Sequence, residues 1–133
     1  MKNKILIVDD DADISEAMKM VLESNNYIVD IAHNGTGGLE KLNIFNPDLI
    51  ILDIMMDELT EGFHVAYKIR SDDADSPYAA WKNVPIIVVT AIHQVTPFRF
   101  SNKTDAEYLP VNEFIEKPIQ PKDLLEIISK YLN

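Results

Sequence analysis

The sequence predicts an α/β protein built on a parallel β-sheet. Short apolar runs rich in β-branched residues alternate with segments in which apolar residues recur at helical spacing. One of these runs, residues 47–53, is typical of a strand buried on both faces, and it ends in a carboxylate, Asp53. At 133 residues the chain suits one domain with a sizeable core, so we expect a single domain over residues 1–133.

The first half of the chain predicts three strands and two helices. Strands are expected in the apolar runs at residues 5–8, 27–32 and 47–53. The first helix should begin with Asp11 or Asp13 as its N-cap, and in the second case Glu16 completes a capping box. It ends near residues 24–26, and its predicted inward residues are Ile14, Ala17, Met18, Val21 and Leu22.

A second helix is expected after a turn at residues 34–35, and it ends where residues 46–47 read Asn-Pro. Its predicted inward residues are Leu39, Leu42 and Phe45. A third helix follows a loop over residues 55–62. The apolar residues that mark it are Phe63, Ala66, Tyr67 and Ile69.

The second half of the chain continues with a polar insertion at residues 71–82, followed by strands at 85–89 and 114–116. Between those strands, residues 93–109 lack a clean helical period, and any helix there is expected to be short and near its end, at residues 105–109. The last helix should begin with Pro121 in its first helical position. Its predicted inward residues are Leu124, Leu125, Ile128 and Leu132.

The composition excludes several classes of function. The formal net charge is −10 and no cluster of Lys and Arg is visible, which argues against direct nucleic-acid binding. The chain contains no Cys, so disulfide and thiolate chemistry are excluded. The first apolar run is short and is followed by Asp, so no signal peptide fits, and no run reaches transmembrane length. We therefore expect a soluble, cytoplasmic protein without a membrane partner.

Polar side chains follow four of the predicted strands at their C-terminal ends. Asp9 and Asp10 follow the first strand, Asp53 ends the third, and Thr90 and Lys117 follow the last two. Parallel strands bring their carboxyl ends to one edge of a sheet, where open α/β sheets carry their binding sites. An acid pair, an acceptor carboxylate, a hydroxyl and an ammonium group together predict a site for a divalent metal and a phosphoryl group.

The acidic residues after the first strand favour a metal, because adjacent carboxylates repel unless a cation is present. Mg²⁺ fits such a site, since it takes one or two protein carboxylates together with waters and a phosphate oxygen. The alternative is a helix N-terminus whose acids complement the helix dipole. This alternative explains Asp11 and Asp13 well, but it explains Asp9 poorly, because Asp9 should still belong to the strand.

Other metal and phosphate motifs do not fit the chain. The Asp-x-Asp-x-Asp spacing of an EF-hand requires Gly and Glu at the positions where Ile14 and Met20 stand. Residues 35–38 are rich in Gly but lack the Lys-Ser/Thr of a P-loop, so a turn and helix start is the better interpretation. The three His residues share no zinc-ligand spacing.

Four segments carry a specific resemblance to a known family. Residues 5–11, 48–56, 86–91 and 114–118 read ILIVDDD, DLIILDIMM, IIVVTA and FIEKP. With these segments, the chain resembles the receiver domain of bacterial two-component response regulators over nearly its whole length. The resemblance implies the CheY-like fold, a flavodoxin-like (βα)5 arrangement with a doubly wound parallel sheet of five strands in the order 2-1-3-4-5.

The resemblance also implies a role for each site residue. Asp53 is the phosphoacceptor, and Lys117 pairs with the phosphoryl group. Thr90 is the switch hydroxyl, and Phe114 occupies the position of the switch aromatic. The implied ligands of Mg²⁺ are Asp9, Asp10, Asp53 and the backbone carbonyl of Met55.

Three features depart from the family pattern. Asp57 stands in place of the usual Pro after Met-Met, and the insertion at residues 71–82 is longer than the family norm. The usual amphipathic helix after Thr90 is replaced by a Pro-Phe-Arg-Phe segment and a polar stretch. We therefore expect a divergent fourth-helix region, while the site residues themselves are retained.

These residues predict a phosphoaspartate signalling switch rather than a conventional enzyme. A sensor histidine kinase or a phosphotransfer protein donates the phosphoryl group to Asp53, and the switch then acts on a downstream protein target. The alternative is a receiver-fold interaction module that works without phosphorylation, and the altered segment after Thr90 motivates it. A phosphatase of the haloacid dehalogenase type is excluded, because Met55 stands where that chemistry needs a second Asp.

The lifetime of the phosphorylated state is predicted from two side chains that flank the approach of water in this family. These positions, two residues beyond the acceptor and two beyond the switch hydroxyl, hold Met55 and Ile92. Both side chains are bulky and apolar, so neither orients a water molecule by hydrogen bonding. We therefore expect slow self-dephosphorylation.

Overall fold

The computed structural model describes residues 3–53, 61–90, 111–116 and 119–132. The elements are β1 (Lys4–Val8), α1 (Ala12–Ser24), β2 (Ile28–Ala32), α2 (Gly35–Phe45), β3 (Leu49–Leu52), α3 (Glu61–Ile69), a 3-10 helix (Ala79–Trp81), β4 (Ile86–Thr90), β5 (Glu113–Glu116) and α4 (Pro121–Ser129). The short helix expected near residues 105–109, and the divergent region that contains it, lie outside the described residues.

The strands form one parallel sheet in the order β2-β1-β3-β4-β5. In its centre, β1 pairs with β3 so that Val8 lies opposite Leu52, and β3 pairs with β4 so that Leu52 lies opposite Val88. Every residue of β3 is buried, as expected for a strand covered on both faces. The doubly wound, flavodoxin-like fold class predicted from the sequence is confirmed.

The sheet separates two hydrophobic clusters because successive side chains of a strand point to opposite faces. On one face, Leu6, Val8 and Leu52 pack with residues of α2 and α3. On the other face, Ile7 and Ile51 pack with residues of α1 and α4. Helices therefore cover both faces, and because all five strands are parallel, their carboxyl ends lie at one common edge.

Helix α1 begins at Ala12, with Asp11 as its N-cap. The Asp11 carboxylate accepts a hydrogen bond from the Ile14 N–H at 3.1 Å, which confirms the first of the two predicted caps. The capping box at Asp13 is wrong, because Asp13 lies inside the first helical turn.

The inward face of α1 differs from the prediction at two positions. Ala17 is exposed, whereas Ser15 is buried. The Ser15 hydroxyl donates to the Asp11 carbonyl at 2.9 Å, so its polar atom is satisfied within the helix and burial costs little. Met18 and Leu22 are buried as predicted, with Ile14 and Val21 half-buried beside them.

Helix α3 buries Val65, Ala66 and Ile69, whereas Tyr67, which belongs to the apolar pattern that predicted this helix, is 44% exposed. A residue one position along a helix is rotated by about 100°, which carries Tyr67 away from the stripe formed by its neighbours. At the end of the chain, Pro121 is the first residue of α4, as predicted. Leu132 is buried but lies beyond that helix.

The polar insertion at residues 71–82 is folded onto the body of the domain. Trp81 packs against the cluster that contains β3, and its indole N–H donates to the Asn46 side-chain oxygen at 2.9 Å. The Arg70 guanidinium donates to the Lys82 carbonyl at 2.7 Å. Because Asn46 ends α2 shortly before the first residue of β3, Leu49, Trp81 lies toward the amino end of that strand and away from its carboxyl end.

Edge strand β2 is partly covered by its own side chains and by α2. The Ile31 N–H donates to the Asp30 carboxylate at 2.8 Å, and the Ile31 carbonyl accepts from the Lys41 ammonium at 2.9 Å. Lys41 also pairs with Asp30 at 2.9 Å. These contacts occupy backbone groups that an open edge otherwise offers to another strand. In the part of the chain that the structure describes, no helix is long and apolar enough to cross a membrane.

Close packing of α2 on β1 requires glycine at position 38. A Cβ added at Gly38 would lie 2.8 Å from a methyl carbon of Val8, a buried and stiff β-branched side chain. At Gly37, the nearest atom would be the Asn34 side-chain oxygen at 3.2 Å, which is a milder approach.

We expect Gly38→Ala to lower the free energy of unfolding by about 1–3 kcal/mol, because overpacking outweighs the gain in helix propensity. Gly37→Ala is the matched control and should cost less. Urea unfolding followed by circular dichroism measures both. A Gly38→Ala variant as stable as Gly37→Ala would contradict the close approach of α2 to β1.

Candidate functional site

The site begins where β1 and β3 end side by side. Because Val8 pairs with Leu52, the next residues, Asp9 and Asp53, leave their strands at the same level of the sheet. The Asp53 N–H donates to the Val8 carbonyl at 2.9 Å, which extends the parallel ladder by one step and fixes the backbone of Asp53.

Three carboxylates converge at this edge. Asp9, Asp10 and Asp53 each place a carboxylate oxygen within 4.8 Å of the other two. Asp9 is 1% exposed and Asp53 is 4% exposed, whereas Asp10 is exposed. Two ionised carboxylates at 4.8 Å repel by about 3 kcal/mol at an effective dielectric constant of about 20. The cluster therefore favours a cation.

This geometry separates the acids into two groups. Asp11 caps α1, as the helix-terminus interpretation requires. Asp9 instead belongs to the end of the sheet, since its N–H donates to the Ala32 carbonyl of β2 at 3.0 Å. Asp9 therefore belongs to the acidic cluster at the end of the sheet and not to the N-terminus of α1.

The carboxylate oxygens fit a hard divalent cation such as Mg²⁺, which prefers oxygen ligands and retains several waters. Asp9 is well oriented for this purpose, because one of its carboxylate oxygens accepts the Asp11 N–H at 2.9 Å. Asp10 lies at the exposed side of the cluster, where water can reach a bound cation.

One further residue contacts the site and was not predicted from the sequence. A ring nitrogen of His33, Nδ1, lies 3.2 Å from the Asp9 carbonyl oxygen. His33 directly follows β2, the neighbour of β1. In the sequence, only its position after a strand points to His33. The contact itself depends on how β1 and β2 are paired, which the sequence does not show.

The remaining predicted residues are placed to different extents. Thr90 ends β4 on the same edge of the sheet, with Glu116 of β5 as its partner. Phe114 is half-buried beside Val88 and packs on the cluster below the site. Two others, Lys117 and Met55, lie outside the described residues.

A doubly wound sheet of order 2-1-3-4-5 with an acidic cluster at the tips of its central strands defines the class of the protein. It is a flavodoxin-like α/β domain with an acidic pocket suited to a divalent cation.

Comparison with known proteins gives the family. The family described as the response regulator receiver domain matches residues 5–129. The chain therefore belongs to the response regulator receiver domain family, and the predicted resemblance is confirmed. Members of this family are the signalling phosphoacceptors of two-component systems, and they bind Mg²⁺ at an acidic pocket.

Two similar relatives are regulators of transcription by name. The chain is 36% identical to "Probable transcriptional regulator ycf27" of Guillardia theta, over 92% of this chain and 42% of that protein. It is 34% identical to "Transcriptional regulatory protein ResD" of Bacillus subtilis, over 93% of this chain and 45% of that protein. The chain thus spans less than half the length of these relatives.

Solved structures show the same architecture. The response regulator TrrA of Thermotoga maritima, solved in complex with Mg²⁺-BeF, is 32% identical, with a TM-score of 0.76 and coverage of 99% of this chain and 100% of that one. The chemotaxis response regulator CheY4 of Vibrio cholerae, at 24% identity, supports the fold alone, with a TM-score of 0.80 and coverage of 99% and 100%.

If the acidic cluster binds Mg²⁺, the cation should raise the melting temperature of the wild-type protein. Binding to the native state stabilises it by mass action, by about 2.7 kcal/mol at a concentration 100-fold above the dissociation constant. Asp10→Asn should lose most of this Mg²⁺-dependent shift. Differential scanning fluorimetry over a Mg²⁺ series measures it.

Asp75→Asn is the control, because it removes an exposed carboxylate from the insertion and should keep the full shift. An equal Mg²⁺-dependent shift in wild type and in Asp10→Asn would show that the cation binds elsewhere.

Proposed function

We propose that this chain is a phosphoaspartate switch of a two-component phosphorelay and that Asp53 accepts the phosphoryl group. The observation that carries the proposal is the position of Asp53, a buried carboxylate at the tip of the central strand and within 4.8 Å of two further carboxylates. A neighbouring acid pair can hold a cation that offsets the charge of a phosphoryl group at Asp53.

The transfer step is a displacement at phosphorus. A carboxylate oxygen of Asp53 forms a bond to the phosphorus of a phosphohistidine, while the phosphorus–nitrogen bond breaks and its electron pair returns to the imidazole of the donor. Asp9, Asp10, Asp53 and the Met55 carbonyl would hold Mg²⁺, which when bound neutralises charge on the phosphoryl oxygens. Lys117 would pair with the same oxygens, so positioning and electrostatics carry most of the catalysis.

Thr90 and Phe114 would convert phosphorylation of Asp53 into a change of the protein surface. The Thr90 hydroxyl donates a hydrogen bond to the new phosphoryl oxygen, which draws the end of β4 inward. Phe114 then moves further into the cluster on which it already packs, and the outer surface near β4 and β5 changes. Phosphorylation in this way shifts the populations of two states by a contact made in only one of them.

The proposed partners follow from the same chemistry. The donor is a sensor histidine kinase or a phosphotransfer protein in the cytoplasm, and the target is a protein that recognises the changed surface. The net charge of −10 is unsuited to direct nucleic-acid contact by this domain. We propose that residues 1–133 act as one receiver domain, and the family match over residues 5–129 supports this.

Treatment with acetyl phosphate and Mg²⁺ should add the mass of one phosphoryl group to the wild-type protein and none to Asp53→Asn. The Asn side chain has the size of Asp but lacks the nucleophilic carboxylate. Asp48→Asn is the matched control, because it removes an exposed carboxylate at the opposite end of the same strand segment and should label normally. Intact mass spectrometry measures all three proteins.

The alternative, an interaction module that works unphosphorylated, predicts a different outcome of this experiment. It requires that wild type remain unlabelled under conditions that label a known receiver domain. Labelling of Asp53→Asn at the wild-type yield would instead refute Asp53 as the acceptor.

Slow loss of the phosphoryl group is expected, because Met55 and Ile92 are proposed to shield it from water. Met55→Asn combined with Ile92→Glu should raise the rate of hydrolysis by about tenfold, equivalent to roughly 1.4 kcal/mol of activation free energy. Loss of label after removal of the donor measures the rate. A wild-type half-life of seconds, or a double variant no faster than wild type, would refute control by these side chains.

A further inference from the structure

The peptide group that joins Asp9 to Asp10 is anchored by a residue from the neighbouring strand. Its carbonyl, that of Asp9, lies 3.2 Å from Nδ1 of His33. A carbonyl oxygen only accepts hydrogen bonds, so Nδ1 carries the proton and donates it. This contact ties the chain leaving β1 to the chain leaving β2, at the point where both approach the acidic cluster.

Asp9 is held at its other polar atoms as well. Its N–H donates to the Ala32 carbonyl at 3.0 Å, and its carboxylate accepts the Asp11 N–H at 2.9 Å. Asp9 therefore keeps its place in the cluster by two contacts that do not involve His33. Loss of the His33 contact would leave the Asp9 side chain where it is.

Asp10 lies one residue further along the chain. It is the first residue beyond the ladder, and it is exposed. Because a peptide group is planar, rotation about the bond between Cα and the carbonyl carbon of Asp9 moves the Asp9 carbonyl and the Asp10 Cα together. A hydrogen bond that fixes the carbonyl therefore also fixes the position of the Asp10 Cα, from which the carboxylate extends into the cluster.

We propose that His33 is a positioning residue for the metal site, which acts by orienting the peptide that carries Asp10. The inference rests on the proposed function of the acidic cluster and adds a residue to it. His33 touches neither the cation nor the phosphoryl group in this account. Its loss should weaken Mg²⁺ binding and leave the acceptor Asp53 intact.

The test compares Mg²⁺ dependence in wild type, His33→Leu and His33→Asn at one fixed pH. The Asn side chain places an amide N–H about where Nδ1 lies, whereas Leu has no donor. We expect His33→Leu to raise the Mg²⁺ concentration for half-maximal labelling by about fivefold, the effect of losing about one neutral hydrogen bond, and to keep the rate at saturating Mg²⁺. His33→Asn should return this midpoint most of the way to that of wild type.

Two further variants separate positioning from a general effect on the fold. His64→Leu removes another exposed imidazole, from α3, and should leave the midpoint unchanged. In an Asp10→Asn background, whose weaker Mg²⁺ dependence is followed by labelling over a higher range of Mg²⁺ concentration, His33→Leu should produce no further change in the midpoint, because the residue through which it acts is already altered. Urea unfolding of each variant checks that the proteins are folded.

The inference is overturned if His33→Leu has the wild-type Mg²⁺ midpoint, if His33→Asn is as impaired as His33→Leu, or if the two changes are additive in the double variant. The Mg²⁺-dependent rise in melting temperature gives the same midpoints without phosphoryl transfer. If wild type is never labelled but its thermal shift depends on His33, the proposed phosphoacceptor function fails and the positioning role stands.

Discussion

The pairing of β1 with β3 is the constraint on which the rest of the site depends. The parallel register that puts Val8 opposite Leu52 also puts Asp9 beside Asp53, and a shift of one residue would turn one of these side chains to the other face of the sheet. That register is secured by a strand buried on both faces and by Gly38, which lets α2 approach Val8. Hydrophobic packing thus determines the spacing of charged groups.

The same arrangement costs electrostatic free energy, and this cost indicates that the acidic cluster has a function. Buried carboxylates that repel one another destabilise the native state, and a folded protein retains them where a cation or a charged ligand offsets the repulsion. Natural proteins commonly carry such local conflicts at functional sites. Receiver domains are such a case, because members of this family bind Mg²⁺ at an acidic pocket.

Much of the fold could be predicted from the sequence, because each central strand is a continuous apolar run and each ends in a polar residue at the same edge. The sequence was less informative where tertiary contacts determine which residue caps a helix and which residues are buried. Asp13 was as good a local cap as Asp11, and only the path of the chain out of β1 selects Asp11. Ser15 can be buried because its hydroxyl bonds within the helix, which no hydrophobic pattern shows. Tyr67 belongs to the apolar pattern of α3 but is exposed, because it lies one position away from the buried stripe of that helix.

The residues of the site also differ in whether the sequence alone could predict them. Asp9, Asp10 and Asp53 were predictable as a cluster, since strand ends of a parallel sheet meet. His33 was not, because its contact with Asp9 requires the register of β1 against β2, which a single sequence does not show. Strand ends can therefore be placed from sequence, whereas residues that orient the strand ends from a neighbouring loop cannot.

Three carboxylates at one edge of the sheet are proposed to hold a cation and a phosphoryl group together. A crystal structure with Mg²⁺ and beryllofluoride, a mimic of the phosphoryl group, tests this most directly. We expect beryllium bonded to a carboxylate oxygen of Asp53, with the cation in contact with Asp9, Asp53 and the fluoride, and with Asp10 beside it directly or through water. Beryllofluoride bonded to another residue, or a cation bound away from this cluster, would contradict it.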